Sequence, residues 1–333
     1  MKILRRLTLA VGAAGICVGA VLFWLSQRID QSPALSNPQQ LMQQFAQAWE
    51  GTPSEKVVDP EERALQIREG NSLLRQARLL LTHNTSPVSA SVLQIIQTPE
   101  ETFRGTGKYW QAVDARCRLH LEMEIGETKG RMLQVSNGQV IWMVRDIVSP
   151  RAWEDRKLQI ERVDLQRLAD FAREAEITAQ EPNVAREMQG GLPGLLSTLE
   201  SLMNFRLIKR VALNQEACIV LEGEWKTDLD QEFDSDFAAN VYFTTRPDKV
   251  RLFIREGDLF PLRYFCLKKR PDKAGYYAQL AMELTDVKRL THVDPGIFNY
   301  RPPEDEVPND ITHEYLTRLE VAARKGEDDE TVK

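Results

Sequence analysis

The chain comes closest to an acid–base group in "RCRLHLEMEI" (116–125), where His120, Glu122 and Glu124 occupy alternate positions. On a strand they alternate outward at wide spacing. A charged outer face explains them better than catalysis does. The remaining histidines, His83, His292 and His313, are scattered without the spacing a metal site needs. "DLDQEFDSDF" places Asp228, Asp230, Glu232, Asp234 and Asp236 at alternate positions. Such oxygens could hold calcium, but the stretch lacks the glycine and closing glutamate of a calcium loop, so a solvated acidic loop is preferred. "GTGKYW" has two glycines and leads into a strand, where a phosphate loop requires a helix. No H-E-x-x-H, G-x-S-x-G or Walker motif occurs. The expectation is a non-catalytic protein with no cofactor and no metal.

A net charge of −6 and a pI near 5.5 leave no basic face for nucleic acid. The N-terminus is more telling. Lys2, Arg5 and Arg6 precede an uncharged run from Leu7 to Gln27, long enough as a helix to cross a hydrocarbon core of about 30 Å. It exceeds the apolar region of a cleaved signal peptide, so an uncleaved single-pass anchor is expected over residues 7–27. "SPA" at 32–34 is a poor cleavage site, and Ile16 before Cys17 speaks against lipidation. The basic flank places the short tail in the cytoplasm and exports the rest of the chain. Gly15 and Gly19 form a G-x-x-x-G that could pair two anchors into a homodimer. Cys117, Cys218 and Cys266 then lie in the exported part. Being odd in number, they leave at least one free thiol, and their apolar neighbours suit buried small hydrophobes.

Residues 1–28 are thus read as anchor and 29–58, rich in Gln, Ser and Pro, as linker. A single domain spans 59–315, and 316–333 form a helix end and a charged tail. Asp59 and Pro60 open a helix striped by Ile67, Leu74, Ala77 and Leu81, with Leu73 and Leu80 alongside. Strand patterns dominate from residue 88 onward, with Asn137-Gly138 marking a hairpin. Two helices interrupt them. One starts at Asp164 and presents Leu165, Leu168 and Ala172; the other carries Leu192, Leu195, Leu199 and Leu202. Further strands follow, among them 206–213, 217–225, 240–245, 249–255, 262–269 and 277–287. "HVDPGIFNY" is expected to turn into a final strand with Phe298 and Tyr300 at the rim. Pro302, Pro303 and Pro308 then guard that edge. The fold class is α+β: about ten strands in one large curved antiparallel sheet with helices on one side.

"GTGKYWQAV", "RCRLHLEM" and "LQVSNGQVIW", followed by "KVRLFIREGDLFPLRYFCL" and "DPGIFNYRPPEDEVPND", appear in an order that resembles the LolA-like periplasmic lipoprotein carriers. The resemblance covers roughly residues 65–312. It implies an unclosed antiparallel barrel with a helical lid over a cavity for acyl chains. A binder or carrier of lipid or lipoprotein acyl chains, held at the inner membrane, is therefore expected. An envelope sensor or structural protein using the same fold to grip a protein partner is the alternative. Alternation nominates Leu119, Leu121, Met123, Trp142 and Phe265 as sheet positions lining the cavity, beneath a lid bearing Leu195, Leu199 and Leu202. Which sheet face is concave stays open at this stage.

Overall fold

A computed structural model describes residues 59–83, 86–97, 102–125, 128–148, 157–177, 188–213, 215–226, 246–270 and 275–320. The expected anchor (7–27) with Gly15 and Gly19, the linker, the strand at 240–245, the acidic loop at 228–236 and the last part of the tail lie outside them. Among the described residues no helix is long and apolar enough to cross a membrane.

Helix α1 (Pro60–Thr82) begins as the sequence indicates. The Asp59 carboxylate accepts the Glu61 backbone N–H at 2.8 Å, and Pro60 fills a first-turn position. Leu74, Ala77 and Leu81 are buried, whereas Leu80 is 52% exposed and falls off the stripe. Gly70 lets the helix press onto the sheet, since a Cβ there would meet the Phe205 carbonyl oxygen at 2.4 Å. Six strands follow: β1 (Val88–Gln97), β2 (Thr102–Gln111), β3 (Arg116–Ile125), β4 (Thr128–Asn137), β5 (Val140–Val148) and β6 (Lys157–Asp164). Next come α2 (Leu165–Glu174) and α3 (Gly191–Leu202), then β7 (Met203–Leu213), β8 (Glu216–Trp225), β9 (Lys249–Arg255), β10 (Pro261–Lys269) and β11 (Tyr276–Arg289). A 3-10 turn (Pro295–Phe298), the two-residue β12 (Asn309–Asp310) and a helical stretch over 312–320, α4, complete the described chain.

The twelve strands of the described residues form one unclosed sheet in the order β12-β6-β5-β4-β3-β2-β1-β11-β10-β9-β8-β7. That is two more than the ten expected. β6 hides in the sequence because its apolar residues divide between faces, Ile160 joining one cluster and Val163 another. The end of the chain also departs from expectation. "DPGIF" is a 3-10 turn rather than a strand, because Asp294 accepts the Gly296 N–H at 2.8 Å and Pro295 sets the first turn. Phe298 is buried, and the edge strand arrives later, where Asn309 and Asp310 pair in parallel with β6.

Nine strands, β1–β4 and β7–β11, send side chains into one core cluster with α1 and α3. Laid flat, nine strands would extend over about 38 Å, while two helices cover only about 20 Å. The sheet therefore curls around the two helices. A second cluster packs α2 and α4 over the β5–β6 end, through Ile141, Met143, Val163, Leu168 and Tyr315. Met143 lies opposite Gln134, and Gln134 opposite Leu119, so these helices occupy the same face as α1 and α3. The other face carries Ile95, Val220, Phe253 and Phe265 at one end and Leu133, Val135, Val144 and Trp142 at the other. Residues near the 3-10 turn cross that second face. Arg118 donates to the Ile297 carbonyl at 2.8 Å, and Tyr300 tilts against Trp142 with ring centres 5.6 Å apart.

Candidate ligand-binding site

Helix α3 lies over the sheet as a lid, and its two ends are held differently. At its start, Gly191 has φ +65 and a Cβ there would meet the Tyr109 hydroxyl at 2.7 Å, so glycine is needed for both conformation and space. No side chain caps this end from within the helix. Instead the Leu192 N–H donates to the Tyr109 hydroxyl (3.0 Å), which donates to Gln111 Oε1 (2.8 Å). Gln111 Nε2 in turn donates to the Leu81 carbonyl at the end of α1 (2.7 Å). Tyr109 and Gln111 are both buried, so this relay runs through the dry interior and ties lid, sheet and α1 together. At the other end, Glu200 accepts from Arg75 (2.8 Å) and Arg78 (2.6 Å) of α1. Lys226 Nζ donates to the Glu200 and Ser201 carbonyls at 2.9 and 3.0 Å.

Between lid and sheet lies a cavity of about 30 Å³, walled by Val92, Tyr109, Leu119, Leu195, Tyr264 and Met282 among others. That admits two or three waters, at about 10–15 Å³ each. A site for a drug-sized ligand needs about 300 Å³ or more. The closed form is thus nearly filled by its own side chains.

Of the residues nominated by alternation, Leu119, Leu121 and Met123 stand on the lidded face. Leu199 is buried in the same cluster, and Leu195 and Leu202 pack against it. Leu119 and Leu195 wall the cavity itself. Trp142 and Phe265 do not join them. Phe265 lies between Tyr264 and Cys266, both in the lidded core, so the pleat turns it to the other face, beside Phe253 at 5.8 Å. Trp142 alternates in the same way with Ile141 and Met143 and packs beside Val135. Tyr109, Gln111 and Tyr264 were missed. In "KYWQAV" Gln111 shares the parity of Tyr109, but the sequence pattern alone does not distinguish it from an exposed polar residue.

The groups most able to do chemistry do not converge. His83, His292 and His313 are exposed. His120 is on the unlidded face, 3.9 Å from a largely exposed Glu122, its pKa lowered chiefly by burial. Among the described residues no three metal-ligating side chains gather. Cys117, Cys218 and Cys266 are free and buried, and burial pushes the Cys266 thiol up to about 12, far from a reactive thiolate. The unlidded face instead carries a charge network. Glu222 accepts from Arg206 (2.8 Å), Lys249 (3.2 Å) and Arg251. Burial alone would raise its carboxyl, but these cations hold it at about 2.

Neither a protein-family model nor a curated protein sequence matches the chain. Solved structures do. A putative outer membrane lipoprotein-sorting protein domain from Vibrio parahaemolyticus matches with TM-score 0.28 and 11% identity, over 70% of this chain and 97% of that one. The Pseudomonas aeruginosa MucA/MucB complex matches with TM-score 0.35 and 11% identity, over 70% of this chain and 61% of that one. A LolA superfamily protein from Nitrosomonas europaea matches with TM-score 0.25 and 10% identity, over 69% and 97%. The chain is similar, at distant sequence identity, to LolA-superfamily and lipoprotein-sorting proteins of known structure.

Proposed function

We propose that the protein binds hydrophobic cargo, an acyl chain of a lipid or lipoprotein, under α3 and does no catalysis. Residues 7–27 anchor it in the inner membrane with residues 59–315 on the periplasmic side. One observation carries this reading: the sheet curls round a lid helix with an apolar hollow directly beneath Leu192 and Leu195. Burying an acyl chain yields about 0.8 kcal/mol per methylene, so about 16 carbons supply on the order of 10 kcal/mol before ordering costs. Because the hollow is small, loading requires α3 to lift while the methionines beneath it adjust. A linker of about 29 residues reaches about 30 Å as a flexible coil, which confines transfer to the neighbourhood of the inner membrane.

The test is photo-crosslinking of the full chain in lipid vesicles with a diazirine-bearing fatty acid. Labels on peptides from α3 and β1–β3 are expected. Labels confined to 7–27 would refute the reading. The tightness of the closed core favours one second reading, a regulatory or structural envelope protein that grips a protein partner. Crosslinking to one specific protein, with no acyl label in the core, would establish that reading instead.

A further inference from the structure

Gln94 is the anomaly of the lidded face. It sits in β1 between Val92 and Ile96, both part of the main apolar core, and is 0% exposed. Among the described residues neither its Oε1 nor its Nε2 finds a hydrogen-bond partner. A buried amide left so costs about 1–3 kcal/mol, and a leucine or methionine would fill the position without that cost. Its cross-strand neighbours are Met282 on β11 and Gly105 on β2. A Cβ at Gly105 would lie 3.8 Å from the Gln94 Cβ and 3.0 Å from Met123 Cγ, so the missing side chain lets Met123 lie over the glycine next to Gln94. Gly130, opposite Met123 on β4, offers no Cβ on the far side either. Met282 thus lies opposite Gln94 on one side and Met123 lies beyond Gly105 on the other, and methionine is the side chain that repacks most readily. Met282 and Val92, its nearest lidded-face neighbours along and across the strands, also wall the cavity under α3.

We infer that Gln94 is the polar anchor of the cargo site and takes the ester linkage of a glycerolipid-type acyl chain, Nε2 donating to the ester carbonyl. This rests on the acyl-binding reading above and specifies its ligand. The hydrocarbon tail runs from Gln94 past Val92 and Met282 into the hollow beneath Leu195. A free fatty acid suits the place less well. Its carboxylate would be buried among Met123, Met282, Val92 and Ile96, and an unpaired charge there costs several kcal/mol or neutralises the group. A neutral ester needs one donor, and Gln94 supplies one.

The experiment compares two diazirine probes of equal chain length, a diacylglycerol ester and an unfunctionalised alkane, on the full chain in vesicles. Wild type and Gln94→Met are labelled in parallel, with chemical denaturation of both. Gln94→Met is expected to reduce core labelling by the ester about tenfold, the worth of one hydrogen bond in a dry site, and to leave alkane labelling unchanged. The variant should be at least as stable as wild type, because it removes an unbonded amide. Equal loss of both probes, loss of neither, or a destabilised or unfolded variant would each overturn the assignment of Gln94 while leaving the acyl-binding reading intact. Absence of core labelling by either probe in wild type would overturn that reading and this one with it.

Discussion

The two faces of the same strands have opposite characters. Along β10, Leu262, Tyr264 and Cys266 enter the dry core beneath the helices, while Arg263, Phe265 and Leu267 face the other way. Arg263 pairs there with Glu283 and lies 5.9 Å from the centres of both Phe253 and Phe265. The lidded face is held mainly by side-chain packing, to which the Tyr109–Gln111 relay and the ion pairs of α3 are added. Its packed methylene groups tolerate change because they have no fixed partners. The other face adds to its two smaller apolar clusters a set of paired charges that a single missing partner would expose. Adaptability and rigidity are thereby assigned to opposite sides of one sheet, at no expense in chain length.

Removing a partner on the rigid side should have the largest effect. Glu222→Leu leaves Arg206, Lys249 and Arg251 without this carboxylate and should cost about 3–5 kcal/mol in denaturant unfolding. The same group sets a pH dependence. Its carboxyl is held at about 2, against an ordinary value of 4.5, a difference worth about 3 kcal/mol. Because the folded value is depressed, that contribution is complete above about pH 4.5 and disappears as the pH falls from there through about 2. Glu222→Leu should therefore flatten the decline in stability over that interval. An unchanged slope would show that other carboxylates govern it.

On the adaptable side, Leu121→Ala removes a fully buried side chain from the core floor and should cost about 2–5 kcal/mol. It should also raise labelling of the core by an alkane probe, since it enlarges the space beneath the lid. A stability loss without that gain would mean the core collapses on the gap. Tyr109→Phe deletes the hydroxyl between Leu192 and Gln111 and should cost about 1–3 kcal/mol. Hydrogen exchange should then quicken in the first turn of α3 ahead of the sheet. Smallest of all, Leu80→Gln should stay within about 0.5 kcal/mol of wild type, because Leu80 is 52% exposed.

Local pattern made much of this legible. The caps at Asp59 and Asp164, the buried trio Leu165, Leu168 and Ala172, and the turn at Asn137–Gly138 all lie where residue types place them. What pattern could not supply was sidedness. Alternation assigns Leu119 and Leu121 to one face of β3 and Trp142 to one face of β5, but it cannot say whether those faces coincide. Only the pairing register relates one strand's pleat to the next. Registers depend on contacts between residues far apart in sequence, such as Val92 with Leu284. Gln94 and Gln111 were hidden for a related reason. A glutamine in an apolar strand signals an edge or an exposed face until its neighbours across the sheet are known.

The unequal fastening of α3 has a directional consequence. Its last turn is gripped by two ion pairs and an ammonium group on two carbonyls, whereas its first turn hangs on one neutral hydroxyl. Charge-assisted bonds are roughly twice as strong as neutral ones, so the first turn of α3 is its less firmly fastened end, and opening of the helix is expected to start at Gly190 rather than at Glu200. On the acyl-binding proposal, a tail would then enter past Tyr109.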